Sequence, residues 1–390
     1  MRVAYVCADL GVPVYGRKGA SVHVQEVLRA LQRRGARITL FAARVDGAPP
    51  PDLQAVELVA LPPAGKWPAE ARARTALDGN AALAVLLRRH GPFDLVYERY
   101  SLWSHAGMAH ARAAGCPGLL EVNAPLIEEQ RTHRELALPE EAERVARSVF
   151  ADATALAAVS PGVAAYLARW PQARGRVHVV ANGVDAARFA QATPERAVLP
   201  PGQGPVVGFV GTLKPWHGLE LLAEAFALLA RQSHARLLVV GDGPGRAALT
   251  GDLARRGLLP HAALTGAVDP ARVPGLLAAM DIAVAPYPAL DGFYFSPLKI
   301  YEYMAAGLPV VASRVGHLDQ VLSHGRDGWL VPPGDAAALA TALAGLAADA
   351  PLRRRLGAAA QRRVRDGHGW DQVAARLLAI AGLCAAGSRW

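Results

Sequence analysis

Short apolar runs recur along the chain, each followed by a glycine-bearing loop and then by a stretch with helical spacing. Val3–Cys7 reads as a buried strand, Ser21–Arg34 as an apolar-periodic helix closed by Gly35, and Arg37–Ala42 as the next strand. Together these make a βαβ unit. The pattern continues through strands at Leu95–Tyr97, Gly118–Val122, Ala155–Ala158 and His178–Ala181. Such alternation predicts a parallel sheet covered on both faces. Near Asp185–Gly204 it lapses into Leu199-Pro200-Pro201-Gly202-Gln203-Gly204-Pro205, which reads as a linker. A second series starts at Val206–Val210 and runs through Leu237–Val240, Ala263–Leu264, Ile282–Ala285 and Val310–Ala312. The second half repeats the architecture of the first without its sequence, so two similar folds are expected rather than a solenoid. An Arg-rich helix near Leu352–Arg365 and a last helix at Trp370–Ala381 close the chain.

Bulk composition narrows the function. With 390 residues, 52% of them hydrophobic, the chain can bury two cores. A net charge of +9 and a pI near 9.8 invite a nucleic-acid reading. The arginines are dispersed, however, and no basic run interleaves with aromatics as a base-stacking groove requires, so no nucleic-acid partner is expected. A phosphorylated substrate or an anionic membrane surface accounts for the charge as well. Cys7, Cys116 and Cys384 are odd in number and lack metal spacing, which points to a reducing compartment. The first residues enter a strand directly, so no secretion signal is expected and the cytoplasm is the expected location. The Ala/Leu-rich stretches near 336–350 and 377–386 are too short or interrupted to span a bilayer. Any membrane contact would be peripheral, on the inner face.

The candidate chemistry lies with the lysines. Only four of the 42 basic residues are lysine: Lys18, Lys66, Lys214 and Lys299. Against an arginine-rich background, a retained lysine suggests a position that needs a compact point charge. Lys18 lies in Gly16-Arg17-Lys18-Gly19, Lys214 in the Gly211–Gly218 loop, and Lys299 in the first turn of a helix. Lys66 has no such context. In that helix Ser296 is the expected N-cap, Pro297 suits the first position, and Gly307 with Pro309 ends it. A first-turn lysine opposes the helix dipole at a cost of roughly 0.3–1 kcal/mol, and a bound phosphate removes the conflict. Glu302, three residues on, shares its face and could accept from sugar hydroxyls. A solvated Lys299–Glu302 pair is the plainer alternative. The Gly211–Gly218 amides and Lys214 could likewise cradle a phosphate, or form only a tight turn. Gly241-Asp242-Gly243-Pro244-Gly245 departs from the G-x-G-x-x-G spacing of a dinucleotide fingerprint. In doubly wound folds ligands sit beyond the strand C-termini, so a cleft between two such domains is the expected site.

These residues resemble the family 4 glycosyltransferases, retaining enzymes of the GT-B architecture with two Rossmann-like domains, over nearly the whole chain. The resemblance rests on Lys18-Gly19-Ala20-Ser21, on Val179-Val180-Ala181-Asn182-Gly183-Val184-Asp185 with Arg188-Phe189, and on Gly208-Phe209-Val210-Gly211. It continues through Val239–Pro244, Met280-Asp281 with Ala285-Pro286, and Glu302–Val311. It implies an acceptor-binding domain over 1–190, a nucleotide-sugar domain over 191–366, and a segment, 367–390, that returns to the first domain. Glu302 then matches the glutamate that holds the donor's ribose. Lys299, Phe295 and Ser296 would face the diphosphate or sugar, Gly19 would approach the diphosphate, and Gly211, Thr212, Lys214, Gly241 and Tyr294 would line the donor. Lys18 and Asn123 fall on the acceptor side. The catalytic set implied is Lys214, Lys299 and Glu302.

The departures are informative. The first glutamate of the two-glutamate motif is Tyr294 here, the arginine after Gly211 is Thr212, the lysine before Gly218 is His217, and the first loop glycine is Lys18. Asn123 occupies the place of a histidine, and an amide cannot take a proton near neutral pH. A retaining front-face transfer tolerates this, since the departing phosphate can accept the acceptor's proton while the protein stabilises leaving-group charge. No Asp-x-Asp occurs, so neither a metal ion nor another cofactor is expected. His105, His110 and His133 could touch an acceptor but read more simply as solvated, and Glu128, Glu129, Arg131 and Arg134 as a charged helix face. Asp291 precedes an aromatic loop that could touch the sugar. The leading expectation is transfer of a hexose from a UDP- or GDP-sugar to a saccharide, lipid-linked or small-molecule acceptor. A noncatalytic sugar-nucleotide-binding protein and a nicotinamide-dependent oxidoreductase are the rivals.

Overall fold

The computed structural model describes residues 1–62, 65, 67–289, 292–294, 296 and 298–383, with the His133 side chain excepted. Expectations placed on Lys66, Asp291, Phe295, Pro297, Cys384 and the His133 side chain lie outside the described residues. Two compact units form: Met1–Asn182 with Tyr294–Ser296 and Trp370–Trp390, and Gly183–Phe293 with Pro297–Gly369.

The first unit holds a seven-stranded sheet of β1 (Arg2–Cys7), β2 (Arg37–Ala42), β3 (Glu57–Ala60), β4 (Leu95–Arg99), β5 (Gly118–Val122), β6 (Ala155–Ala158) and β7 (Val177–Val179), in the order 3-2-1-4-5-6-7. Every pairing is parallel, so each strand needs a crossover connection to the next. β4, β5 and β6 are wholly buried and mostly apolar, with Glu98, Arg99 and Glu121 as charged exceptions; each buried Val or Leu contributes about 1.5–3 kcal/mol. The strand order reverses between β1 and β4, the position at which doubly wound folds open a crevice. The Trp370–Ile380 helix packs on the Gly19–Arg33 helix, where Asp371 pairs with Arg33 at 2.8 Å.

The second unit holds six parallel strands: β8 (Val206–Val210), β9 (Arg236–Val240), β10 (Ala262–Leu264), β11 (Ile282–Ala285), β12 (Val310–Ser313) and β13 (Trp329–Val331), in the order 10-9-8-11-12-13. Its reversal falls between β8 and β11. Both units are therefore doubly wound Rossmann-like domains, as the alternating pattern predicts.

Two differences from the sequence reading have clear causes. β3 and β13 were not expected; both are short edge strands, of four and three residues, which leaves little periodicity to read. The first unit ends at Asn182 instead of 190, because Ala186–Ala190 forms a helix, capped by Asp185, that packs on the Leu298–Ala305 and Val273–Ala278 helices. Buried Phe189 and an Arg188 hydrogen bond to the Pro270 carbonyl anchor it there. The Ser296 hydroxyl accepts from the Asn182 backbone N–H at 3.4 Å; the expected cap depends on Pro297, outside the described residues.

Candidate functional site

In the second unit, the loops after β8 and β9 are built into each other. The Gly211 amide donates to the Val240 carbonyl, Leu213 to Asp242, and Gly245 to Leu213, each at 2.9 Å. A side chain at Gly241 would meet the Gly211 carbonyl at 2.1 Å, and one at Gly243 the Leu213 backbone at 2.7 Å. Both glycines also hold positive φ, 135° and 156°, so only glycine suits either place. The Gly241–Gly245 run thus packs against the neighbouring loop and does not wrap a dinucleotide. Four loop amides, those of Gly211, Leu213, Lys214 and His217, are engaged within the protein. The loop's capacity for an anion therefore shifts from its backbone to nearby lysines.

Lys299 is the second residue of the Leu298–Ala305 helix. Its Nζ lies 4.2 Å from the Phe209 ring centre and 5.7 Å from that of Tyr287, while a side-chain carbon at Gly211 would be 3.1 Å from it. The residue as a whole is part-buried, but Nζ itself is enclosed and has no hydrogen-bond partner among the described residues. Burial pushes its ammonium down to about 7, with Glu302 opposing the shift. Ring faces attract such a cation weakly, by about 0.5–2 kcal/mol, and do not replace three hydrogen-bond acceptors. Tyr303, on the same helix, fixes the geometry from below: its buried hydroxyl accepts from the Val210 amide at 2.7 Å and so ties the end of β8 to the helix.

His217 does not supply a second cation. Nδ1 lies 2.5 Å from the Thr212 carbonyl, and burial together with the Lys299 charge pushes the ring down to about 3. The neutral imidazole donates from Nδ1 and leaves Nε2 as an acceptor. Lys214 stands over the Trp216 ring at 5.5 Å and provides the other positive charge of the loop. Glu302 is half-buried one turn beyond Lys299.

The structure thus brings Gly211, Thr212, Lys214, Gly241, Lys299 and Glu302 together at the switch point of the second sheet. Lys18, Gly19, Asn123, Tyr294 and Ser296 belong to the first unit. Lys18 precedes the exposed N-terminus of the Gly19–Arg33 helix, which has no acidic residue in its first turn. Tyr294 donates to Glu129 Oε2 at 3.0 Å, and its carbonyl accepts from the Ser160 hydroxyl at 2.5 Å. Its side chain is therefore committed to a partner within the first unit.

A second cluster, unforeseen from the sequence, lies buried beneath Asn123. Glu121 Oε1 receives the Tyr97 hydroxyl at 2.7 Å and lies 2.7 Å from His23 Nε2. Oε2 receives Asn123 Nδ2 at 3.0 Å and pairs with Arg99 at 3.5 Å. Although burial opposes ionisation, these partners, His23 first, hold the carboxyl down at about 2. Nearby Glu98 has fewer partners, the Ser104 hydroxyl at 2.5 Å and the Met108 amide at 3.0 Å, and burial raises it to about 7. Charged residues inside strands that otherwise read as buried were the available signal. Among the described residues no three His, Cys, Asp or Glu side chains form a metal-holding group, and no helix is long and apolar enough to cross a membrane.

Residues 17–188 match the pattern of Glycosyltransferase Family 4, and residues 204–349 that of Glycosyl transferases group 1. Over nearly its full length the chain is similar to the D-inositol 3-phosphate glycosyltransferase of Jonesia denitrificans, 30% identical with 97% of this chain and 95% of the relative covered. This chain belongs to glycosyltransferase family 4. Another family 4-like relative is the 2-deoxystreptamine glucosyltransferase of Streptomyces kanamyceticus, 30% identical over 82% of this chain and 87% of that protein. Among solved structures, sucrose-phosphate synthase of Thermosynechococcus elongatus shares the fold with a TM-score of 0.76 at 24% identity, covering 97% of each chain. Anabaena HepE, solved in complex with UDP, gives 0.73 at 21% identity, with 98% of this chain and all of HepE covered. The family 4 fold is GT-B, and the expected two-domain architecture holds. As a member the chain is a glycosyltransferase that binds a nucleotide sugar.

Proposed function

We propose that this family 4 glycosyltransferase transfers a hexose from a UDP-sugar, with retention of anomeric configuration and without a metal ion, to an acceptor hydroxyl held by the first unit. The observation that carries the reading is Lys299 Nζ, enclosed at the sheet's switch point beside Gly211 with no protein partner. An enclosed cation without an acceptor is unfavourable by several kcal/mol in the ligand-free protein, and a diphosphate supplies the acceptors. In this reading Lys299 and Lys214 neutralise the leaving diphosphate, Glu302 accepts from the ribose hydroxyls, and the departing phosphate oxygen takes the acceptor's proton. His217, neutral, contributes an acceptor nitrogen and no charge. Lys18 and Asn123 serve the acceptor side. Because HepE structures of the same fold hold UDP and UDP-glucose, UDP-glucose is the donor to try first.

The test is a thermal-shift panel of UDP, GDP, ADP and NAD on the wild type, Lys299→Met and Glu302→Ala, followed by transfer assays with NMR assignment of the product anomer. Ligand at a hundredfold over Kd adds about 2.7 kcal/mol of stability. Stabilisation by UDP that is lost in both variants, with an α product from UDP-glucose, is the expected result. No stabilisation by any nucleoside diphosphate contradicts the reading. The position of Tyr294 favours one alternative: its phenol is engaged with Glu129 where the family carries a glutamate. A noncatalytic nucleotide-sugar-binding protein would give the same stabilisation and no turnover with any acceptor.

A further inference from the structure

The second unit carries an open groove of about 560 Å³ at the β13 edge of its sheet, within the size range of small-molecule sites. It shares no residue with the Lys299 group. Trp329, Leu330 and Val331 line it from β13, Ala342 and Leu346 from the Ala336–Ala348 helix, and Leu352 from the first turn of the Ala350–Gly367 helix. The apolar floor is recessed, since Leu330, Val331 and Leu346 are all buried. None of the exposed large hydrophobic residues among those described belongs to the lining. A surface that inserts into a bilayer carries its apolar side chains outward, whereas this one can only take a chain inward.

The polar groups along the groove are already engaged. Val331 faces β12, where its carbonyl accepts from the Arg314 amide, so the Leu330 backbone faces away from β12. There the Leu330 amide donates to His324 Nδ1 at 3.0 Å, and Pro332 has no amide, so neither offers an N–H to an added peptide strand. The Thr341 hydroxyl donates to the Ala337 carbonyl, and Asp349 accepts from the Leu352 amide. A hydroxyl-rich guest would find few partners here, whereas an alkyl chain needs none. Positive charge stands at one end. Arg353 donates from one guanidinium nitrogen to the Leu346 and Ala347 carbonyls, which holds it beside the lining. Arg355, three positions beyond Leu352 and so on the same helix face, is exposed and makes no ion pair among the described residues. These two guanidinium groups outnumber Asp349, the one carboxylate in the lining.

We propose that this groove binds a dissolved single-chain anion of the fatty-acid class, its alkyl chain between β13 and the Ala336–Ala348 helix and its carboxylate against Arg353 and Arg355. The chain satisfies the recessed apolar floor, and the carboxylate satisfies the guanidinium groups by charge-assisted hydrogen bonds. Gly345 provides the means to test it. It lines the groove within a helix, and a side-chain carbon there meets no atom within 4 Å. Gly345→Leu therefore grows into open space while strengthening the helix. Thr341→Phe, one turn earlier on the same face, blocks the groove independently.

The full-length protein is titrated calorimetrically with octanoate, decanoate and dodecanoate below their micelle concentrations. Dodecyltrimethylammonium is the cationic control, and phosphatidylglycerol vesicles are the membrane control. Each added methylene should tighten binding about fourfold, the equivalent of about 0.8 kcal/mol. Dodecanoate should bind at least tenfold more tightly than dodecyltrimethylammonium, and Arg355→Gln should narrow that margin at least threefold. Gly345→Leu and Thr341→Phe should each weaken dodecanoate at least tenfold while keeping the thermal midpoint and the response to UDP; should one of them fail to fold, the other decides. Absence of dodecanoate binding, affinity that does not follow chain length, or equal binding of anion and cation overturns the proposal. Dodecanoate binding that survives in the folded groove variants also overturns it, because the ligand then sits elsewhere. Binding to the vesicles without binding of dodecanoate would give the face to a membrane surface and overturn it as well.

Discussion

Glu121 and Lys299 are both enclosed ionisable groups near the C-terminal end of a parallel sheet, one in each unit, and the protein treats them in opposite ways. Glu121 is surrounded by His23, Tyr97, Arg99 and Asn123 and stays ionised well below the usual carboxylate range. Lys299 Nζ faces two rings and is pushed toward its neutral form. In the proposed reading, the difference separates a charge that completes a structure from one that a ligand would complete. Burial alone does not mark a candidate binding group, since Glu121 is also buried; a buried polar atom without a partner does.

Removing each charge should have opposite effects. Glu121→Leu leaves the Arg99 guanidinium enclosed without its counter-charge and should cost roughly 3–5 kcal/mol in urea denaturation. Lys299→Met keeps the stem over Phe209 and removes an unpartnered ammonium, so it should stabilise the ligand-free protein by about 1–3 kcal/mol in the same measurement. Destabilisation by both would erase the distinction.

The pH dependences should also diverge. Lys299 has a folded pKa of about 7 against an ordinary 10.5. The folded state thus binds fewer protons over that interval, and the lysine's cost is full below pH 7 and relieved as pH rises to 10.5. The stability gap between Lys299→Met and wild type should close over that window. For Glu121 the carboxyl sits near 2 against an ordinary 4.5. Its contribution is full above 4.5 and is lost as pH falls through 2, so the gap between wild type and Glu121→Gln should narrow only in acid. The smallest expected effect is that of Tyr97→Phe, which removes one of several hydrogen bonds to Glu121 and should cost about 1 kcal/mol without changing UDP affinity.

How far the sequence discloses this depends on whether the signal is local. Most central strands are apolar runs because both their faces are covered, and they are legible residue by residue; the short strands β3 and β13 are not. Lys299 was visible because a lysine in a first helical turn contradicts the helix dipole, and Glu302 because three residues along a helix return to the same face. The Glu121 cluster joins β4, β5 and the Gly19–Arg33 helix, so no single stretch announces it. Tyr294 was legible as a departure from the family pattern, but its partner, Glu129, stands 165 positions earlier in the chain. The neutrality of His217 likewise depends on its burial and then on the nearness of Lys299, both products of folding.

The most direct test is the number of protons taken up when UDP binds at pH 8, obtained by calorimetry in two buffers of different ionisation heat. At that pH the free Lys299 is mostly neutral, and the diphosphate is already fully ionised. If the diphosphate becomes the lysine's missing partner, binding should take up close to one proton in the wild type and none in Lys299→Met. UDP binding without proton uptake, or with uptake that persists in Lys299→Met, would contradict the assignment of Lys299 as the diphosphate's cation.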